Sequence, residues 1–188
     1  MEDIKMHALI VGGRKSGKST LIARVLEALD LPAYGYESKK EDSLADPEQG
    51  SPIYMYKFGQ PRTHSDENLL GYCKDKHFSS LVEGFNRFAP YLQSIPAGHM
   101  AVLDEIGFME TEAKDFCAAI LRLLDSDVPL IAAVKHNDMP FPNQVKQHPN
   151  CRCFYITEDN RDALFEEVLT FVKQDLAQRS TCRENTDH

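Results

Sequence analysis

The sequence predicts an α/β fold built on a mainly parallel open sheet, because short apolar runs alternate along the chain with longer amphipathic segments. The runs that have the length and composition of buried strands are residues 8–11, 100–103, 129–134 and 153–156. At 188 residues the chain is long enough for one such domain, which we expect over residues 1–177. Residues 178–188 are polar or charged apart from one cysteine, and this composition predicts a disordered tail.

The helices are predicted from apolar residues that recur three and four positions apart. The first helix follows the glycines after the first strand and ends before Pro32. A second helix is expected over residues 78–92 and a last one over residues 164–176. Another is expected after Thr111, whose hydroxyl is suited to cap it.

Two regions are expected to interrupt this alternation. Within residues 34–65, two tyrosine-rich segments flank a polar loop, and this pattern predicts a hairpin or an excursion of the chain at the edge of the sheet. Residues 137–149 contain three prolines and are predicted to form a loop.

The charge of the chain disfavours two classes of partner. Its 21 basic and 29 acidic residues give a formal net charge of −8, so it has no bulk attraction to nucleic acid or to anionic lipid. No apolar run approaches the roughly 20 residues that span a bilayer, and residues 1–5 lack the features of a secretory signal. Five cysteines, an odd number, favour reduced thiols. We therefore expect a cytoplasmic monomer with no membrane or nucleic-acid partner.

The strongest motif is residues 12–19, Gly-Gly-Arg-Lys-Ser-Gly-Lys-Ser, which fit G-x-x-x-x-G-K-[ST] between a buried strand and an amphipathic helix. Gly12 and Gly17 allow successive N–H groups to point inward around a phosphate, and the helix presents its positive dipole end to that anion. Lys18 is expected to reach the β- and γ-phosphates, and the Ser19 hydroxyl to bind Mg²⁺. The residues expected at the nucleotide here are Gly12, Gly13, Arg14, Lys15, Ser16, Gly17, Lys18, Ser19 and Thr20.

A second motif follows the apolar strand at residues 100–103. Asp104 comes directly after it, as in a Walker B motif, where a carboxylate at the end of a strand orients Mg²⁺. Parallel strands bring their carboxyl ends to one edge of the sheet, so Asp104 is expected to face the phosphate loop. Glu105 is then the candidate base that polarises a water aimed at the γ-phosphate. Glu110, which follows a turn, is the alternative base.

Residues 104–107 also fit the D-x-x-G motif of GTPases. The guanine-reading N-K-x-D motif is absent, however, because residues 135–138 have the wrong order and residues 143–146 lack the aspartate. A Ras-like GTPase is therefore disfavoured.

Residues 104–110, Asp-Glu-Ile-Gly-Phe-Met-Glu, carry the signature D-E-I-G-x-M-E. Together with the phosphate loop, this segment resembles the nucleoside-triphosphatase family described as thermophile or cancer-related NTPases. Further resemblances cover most of residues 6–177 and include the segments 84–90, 129–134 and 156–161.

The resemblance implies a P-loop NTPase with an open sheet and helices on both faces. It implies Mg²⁺-dependent hydrolysis of ATP, GTP or other nucleoside triphosphates to diphosphates, with loose base preference. It places residues 12–19 and the segment Asp104, Glu105, Ile106 and Gly107 on the nucleotide, with Glu105 as the candidate base. Lys18, the other residue expected to be catalytic, would stabilise the developing charge together with the loop amides. Arg161 matches a family loop near the base, whereas a helix cap by Asn160 explains the same segment equally well.

The chain departs from the family pattern at two places. Residues 48–56 lack the arginine that family members carry in the hairpin after the first helix. The strand that usually ends in V-H-R ends here in Val134, Lys135 and His136.

Two other functions use the same phosphate loop. A small-molecule or nucleotide kinase needs an acceptor pocket and usually an arginine-rich lid, and residues 137–152 offer only two basic side chains for one. A slow nucleotide-gated switch acting on a protein partner is the third possibility. The sequence does not identify that partner.

Overall fold

The computed structural model describes residues 6–186 of the chain, and its centre is an eight-stranded sheet with the strand order β5-β4-β3-β2-β6-β7-β1-β8. The strands are β1 (His7–Gly12), β2 (Ala33–Lys40), β3 (Ser51–Lys57), β4 (Leu69–Lys74), β5 (His77–Ser80), β6 (Met100–Ile106), β7 (Leu130–Lys135) and β8 (Cys151–Tyr155). Strands β2, β6, β7, β1 and β8 are mutually parallel. Their carboxyl ends therefore share one edge of the sheet, which is where ligands bind in open α/β folds.

Helices cover both faces of the sheet, as predicted. They are α1 (Lys18–Leu29), α2 (Val82–Asn86), α3 (Ala89–Leu92), α4 (Lys114–Leu124), α5 (Pro140–Lys146) and α6 (Arg161–Thr186). Alternate residues of β1 point to opposite faces. Ala8 and Ile10 pack with α1 and α6, whereas Leu9 and Val11 pack with α2 to α5. All six residues of β1 are buried, which explains why this strand is an uninterrupted apolar run.

The hairpin predicted within residues 34–65 is present as the antiparallel pair β2–β3, with Tyr36 opposite Lys57 and Lys40 opposite Ile53. The sheet then continues through β4 and β5, which are also antiparallel. The predicted helix over residues 78–92 is therefore wrong in its first part, because Phe78 lies in β5 opposite Cys73.

The rest of the predicted second helix is divided into α2 and α3. The break falls at Arg87 and Phe88, directly before Pro90 in the first turn of α3. Proline lacks an N–H group and is tolerated at the first turn of a helix but not in its interior.

Two further local predictions are wrong. Thr111 does not cap α4, whose N-cap is Ala113; its hydroxyl is buried without a partner. The loop predicted over residues 137–149 contains α5, in which Pro140 and Pro142 stand at the start of the helix. In the sequence, these prolines are typical of a loop. In the structure they begin a helix, because the fixed φ of proline suits the first helical turn.

The tail predicted to be disordered is helical as far as the structure describes it, because α6 continues to Thr186. Arg179 and Asp175, buried on successive turns of α6, form an ion pair, and Arg179 also donates hydrogen bonds to the carbonyls of Met6 and Asp127. These contacts tie the end of α6 to the opposite edge of the sheet. Residues 1–5, which lack a predicted signal, and residues 187–188 of the predicted tail lie outside the described residues.

Between residues 6 and 186, no helix combines the length and the apolar character needed to cross a membrane.

Candidate nucleotide site

The phosphate loop (residues 12–19) joins β1 to α1 at the carboxyl edge of the sheet. Gly17 is the N-cap of α1 and has φ 105°, a left-handed conformation that favours glycine. A Cβ at Gly12 would lie 2.5 Å from the Ser16 hydroxyl, so only glycine allows the loop to close this tightly. No side chain caps the N-terminus of the 12-residue helix α1. Its first N–H groups and its positive dipole end are therefore available to an anion.

Lys18 is directed back over this loop. Its ammonium donates hydrogen bonds to the carbonyls of Gly12 at 3.0 Å and of Gly13 at 2.7 Å. It also lies 3.0 Å from Oε2 of Glu105. Only 5% of the Lys18 side chain is exposed, so this ion pair is weakly screened by water.

Glu105 connects two ammonium groups. While Oε2 contacts Lys18, Oε1 lies 3.3 Å from the ammonium of Lys135, the last residue of β7. The structure therefore brings together the two residues predicted to be catalytic, Lys18 and Glu105. Sequence reasoning named Lys135 only as part of a departure from the family pattern and gave it no role. The argument that located Asp104 would have found it, because Lys135 also ends a buried strand at the same edge of the sheet.

Asp104 lies on the side of β6 that faces α1. Burial raises the pKa of its carboxyl, and a hydrogen bond from the Ser19 hydroxyl lowers it in part. A hydroxyl and a partly buried carboxylate are hard oxygen ligands of the kind that Mg²⁺ prefers. Ser19 and Asp104, the predicted metal ligands, thus lie within hydrogen-bond contact of each other and fit this ion.

Glu110, the alternative base, does not face the phosphate loop. Its side chain is 3% exposed, and Oε1 accepts a hydrogen bond from the N–H of Gly107 at 2.5 Å. Burial raises the pKa of Glu110 to about 7, although the hydrogen bond from Gly107 opposes the shift. Glu110 therefore supports the segment after Glu105. In that segment, the Ile106 side chain is fully buried in the core, and Gly107 lies beside Lys135.

A cavity of about 430 Å³ opens over the phosphate loop. Residues 14–20 form one side, and Glu105 and Lys135 lie between them and a second wall. This second wall, which sequence reasoning missed, comes from β2, from the antiparallel strands β3 to β5 and from the turn after β6: Ser38, Lys40, Ile53, Cys73, Phe78 and Met109. Arg14, Lys15 and Thr20 are exposed at the cavity. A larger cavity, about 640 Å³, lies between residues 55–68 and the start of α3 and contains none of the predicted site residues.

Arg161, the first residue of α6, contacts the backbone of the phosphate loop. Its Nε donates to the carbonyl of Ser16 at 2.8 Å, and its Nη2 donates to the carbonyl of Lys15 at 3.2 Å. Asn160 accepts a hydrogen bond from the N–H of Thr157, so its side chain closes the turn before α6. The structure thus brings Arg161 to the predicted site as a support of the loop conformation.

The chain is similar to known proteins in both sequence and fold. The family model described as NTPase matches residues 7–169. The chain is 26% identical over 187 aligned positions to the nucleoside-triphosphatase THEP1 of Natranaerobius thermophilus, covering 90% of this chain and 98% of that protein. It is 23% identical to the cancer-related nucleoside-triphosphatase homolog of Mus musculus, with 89% and 96% of the two chains covered.

Two solved structures share the fold. The crystal structure of THEP1 from the hyperthermophile Aquifex aeolicus matches with a TM-score of 0.63 at 22% identity, covering 89% of this chain and 99% of that chain. The solution structure of a human cancer-related nucleoside triphosphatase matches with a TM-score of 0.64 at 19% identity, covering 90% and 98%. Since the family model spans most of the chain and the same fold recurs in these structures, the chain belongs to the NTPase family of enzymes.

Proposed function

We propose that this protein hydrolyses nucleoside triphosphates to diphosphates and orthophosphate, with Mg²⁺ and with loose base preference. The observation that carries the proposal is the contact between Lys18 of the phosphate loop and Glu105 at the end of β6. The ammonium that the motif assigns to the phosphates and the candidate base lie 3.0 Å apart, at the edge of the sheet where the γ-phosphate is expected.

The residues support an in-line hydrolysis. The triphosphate accepts hydrogen bonds from the N–H groups at the start of α1 and from the ammonium of Lys18. Lys18 then no longer holds the carboxylate of Glu105, and Glu105 is released. Glu105 accepts a hydrogen bond from a water and aims it at the γ-phosphorus. The bond from this water oxygen to phosphorus forms while the bond to the bridging oxygen breaks, and the proton passes through Glu105 to the orthophosphate. Mg²⁺ held by Ser19 and Asp104 would neutralise charge on the β- and γ-phosphate oxygens.

Loose base preference is supported by where the contacts lie. Lys18 and Arg161 donate hydrogen bonds to backbone carbonyls of the phosphate loop, on the side of the site where the phosphates and not the base are expected. The guanine-reading N-K-x-D motif is absent. We further propose that the protein acts in the cytoplasm, where the odd number of cysteines would remain reduced, and that it acts as a monomer.

The test is phosphate release from ATP, GTP, CTP and UTP, with Mg²⁺ and with excess chelator, for the wild type and for Lys18→Ala. We expect kcat/KM values for the four substrates within about tenfold of one another, or roughly 1.4 kcal/mol. Activity should require Mg²⁺ and should be lost in Lys18→Ala. Failure of the wild type to release phosphate would contradict the proposal, and a preference above about a hundredfold would contradict loose base selection.

A second candidate function, a small-molecule kinase, is favoured by the second wall of the cavity. Ile53, Cys73, Phe78 and Met109 form an apolar surface across the cavity from the phosphate loop, so an acceptor molecule has room beside the γ-phosphate. Release of diphosphate measured with and without candidate hydroxyl acceptors separates the two functions. Strong dependence on an acceptor would favour the kinase, whereas full turnover in water alone favours hydrolysis.

A further inference from the structure

Lys135 and Lys18 bind the two oxygens of a single carboxylate. The ammonium of Lys18 lies 3.0 Å from Oε2 of Glu105, and that of Lys135 lies 3.3 Å from Oε1. Two cations that converge from different elements, the helix α1 and the strand β7, mark a position with strong preference for an anion. That position lies directly above the phosphate loop.

The fold fixes Lys135 at this point. In the parallel pair β1–β7, Lys135 is opposite Gly12, the first residue of the phosphate loop. Its ammonium lies 5.0 Å from the ring centroid of Phe108 and 5.7 Å from that of Phe78. These cation–π contacts hold the charged end over the cavity and partly desolvate it. Lys135 is 30% exposed, so it remains accessible to a ligand.

We propose that Lys135 is a catalytic residue that contacts the transferring γ-phosphoryl group and stabilises the charge that develops on it. This inference rests on the proposed hydrolysis. When the triphosphate displaces Glu105 from Lys18, a phosphoryl oxygen takes the position of the carboxylate between the two ammonium groups. Lys135 then supplies, from within the chain, the second cation that phosphoryl transfer uses beside the phosphate-loop lysine.

Other cations at the cavity are less suited to this role. Arg14 and Lys15 are exposed on the outer part of the phosphate loop. The ammonium of Lys40 lies 2.7 Å from the carboxylate of Asp42 and belongs to the second wall. Lys135, by contrast, directly contacts the candidate base Glu105, as Lys18 does.

The first test compares Lys135→Met, which keeps the length of the side chain, with Lys135→Gln, Lys135→Arg and the control Lys173→Met on the exposed side of α6. We measure kcat, KM for ATP, and affinities for Mg²⁺–ADP with and without aluminium fluoride, which mimics the phosphoryl group in transfer. In Lys135→Met we expect kcat to fall by about 10²–10³-fold. Affinity for ADP should stay within about threefold, and the gain in affinity from aluminium fluoride should disappear. Lys135→Arg should keep part of the kcat and part of the gain in affinity from aluminium fluoride, because it keeps the positive charge.

A double variant separates contact with the phosphoryl group from support of Glu105. If Lys135 touches the phosphoryl group, Lys135→Met should still abolish the aluminium fluoride effect when combined with Glu105→Gln, and kcat should fall by a further factor of about ten or more. If the double variant has the same kcat and the same aluminium fluoride effect as Glu105→Gln alone, Lys135 only positions Glu105 and the inference is wrong. Lys135→Met and Lys135→Gln with wild-type kcat would also overturn it.

The outcomes distinguish this inference from the proposed function. A wild type that releases no phosphate overturns the hydrolysis, and the role of Lys135 with it. An active wild type beside equally active Lys135 variants overturns the role of Lys135 alone. Thermal melting of each variant shows whether it is folded, and Lys135→Arg and Lys135→Gln keep the test decisive if Lys135→Met does not fold.

Discussion

The ammonium of Lys18 lies 3.0 Å from the carboxylate of Glu105, although the two residues come from different elements, the start of α1 and the end of β6. The same ammonium is bonded to the carbonyls of Gly12 and Gly13. A triphosphate that uses Lys18 must therefore compete with Glu105. In the proposed function, this competition couples nucleotide binding to the release of the base.

Glu105→Gln should separate binding from chemistry. Because the neutral amide competes less with phosphate for Lys18, we expect affinity for Mg²⁺–ATP to rise by about three- to tenfold. Turnover should fall by about 10²–10⁴-fold, the usual span for a positioned general base. Calorimetry and steady-state phosphate release measure the two effects. Weaker binding in Glu105→Gln would contradict the competition, and undiminished turnover would exclude Glu105 as the base.

Asp104→Asn and Ser19→Ala should behave differently from Glu105→Gln, because these two side chains form the expected Mg²⁺ site. Titration of nucleotide affinity against MgCl₂ should show a loss of the Mg²⁺-dependent gain, by about tenfold or more, in each variant. Glu105→Gln is the matched control, since it changes the adjacent carboxylate without removing a predicted ligand. An unchanged Mg²⁺ dependence in Asp104→Asn would place the metal elsewhere.

Arg161→Ala should weaken the binding of all nucleoside triphosphates by the same factor. Arg161 donates to the carbonyls of Lys15 and Ser16, so its loss loosens the phosphate loop and leaves two acceptors without these partners. We expect affinities for ATP, GTP, CTP and UTP to fall together by about tenfold, or roughly 1.4 kcal/mol. Arg24→Ala is the control, because Arg24 forms an exposed ion pair with Asp162. A loss confined to one base would show that Arg161 reads the base instead.

The parts of the fold that the sequence predicted are those governed by local pattern. The buried strand β1 and the helix α1 carry their own signals, because an apolar run ends in glycines and helical spacing follows. Phe78 shows why other parts were missed. Its position fits a helical apolar stripe with residues further along, yet cross-strand pairing with Cys73 places it in β5. Pairing with β4 in a short hairpin, across the two-residue turn at Asp75 and Lys76, overrides this helical spacing.

In the candidate site, too, the residues marked by a local motif were predicted and the others were not. The phosphate loop and Asp104 were predictable because each lies at a strand end that a motif identifies. Lys135 also ends a buried strand, but no motif marks it. The wall at Ile53 and Cys73 depends on which strands become neighbours in the sheet, and no single segment of the sequence shows the strand order. The end of α6 depends on a long-range contact of the same kind, since Arg179 reaches the backbone of Met6.

Glu110→Gln should change the way in which the free energy of unfolding depends on pH, and it should have a smaller effect on turnover. Burial raises the pKa of Glu110 from its usual 4.5 to about 7, so between these pH values the folded protein holds a proton that the unfolded chain has lost. The free energy of unfolding of the wild type therefore contains a contribution that falls as pH rises from about 4.5 to 7. Glutamine has no such titration and can still accept the hydrogen bond from Gly107.

The difference in unfolding free energy, variant minus wild type, should consequently increase across this window by up to about 3 kcal/mol. The buried His7, whose pKa burial lowers to about 4, has the opposite sign, because its contribution is lost as pH falls below 6.5. It is common to both proteins and cancels in the difference. Urea unfolding of both proteins at pH 5 and pH 8 measures the effect. A difference that stays constant with pH would show that Glu110 is ionised throughout, and a dead Glu110→Gln enzyme with a normal fold would transfer the catalytic role to Glu110.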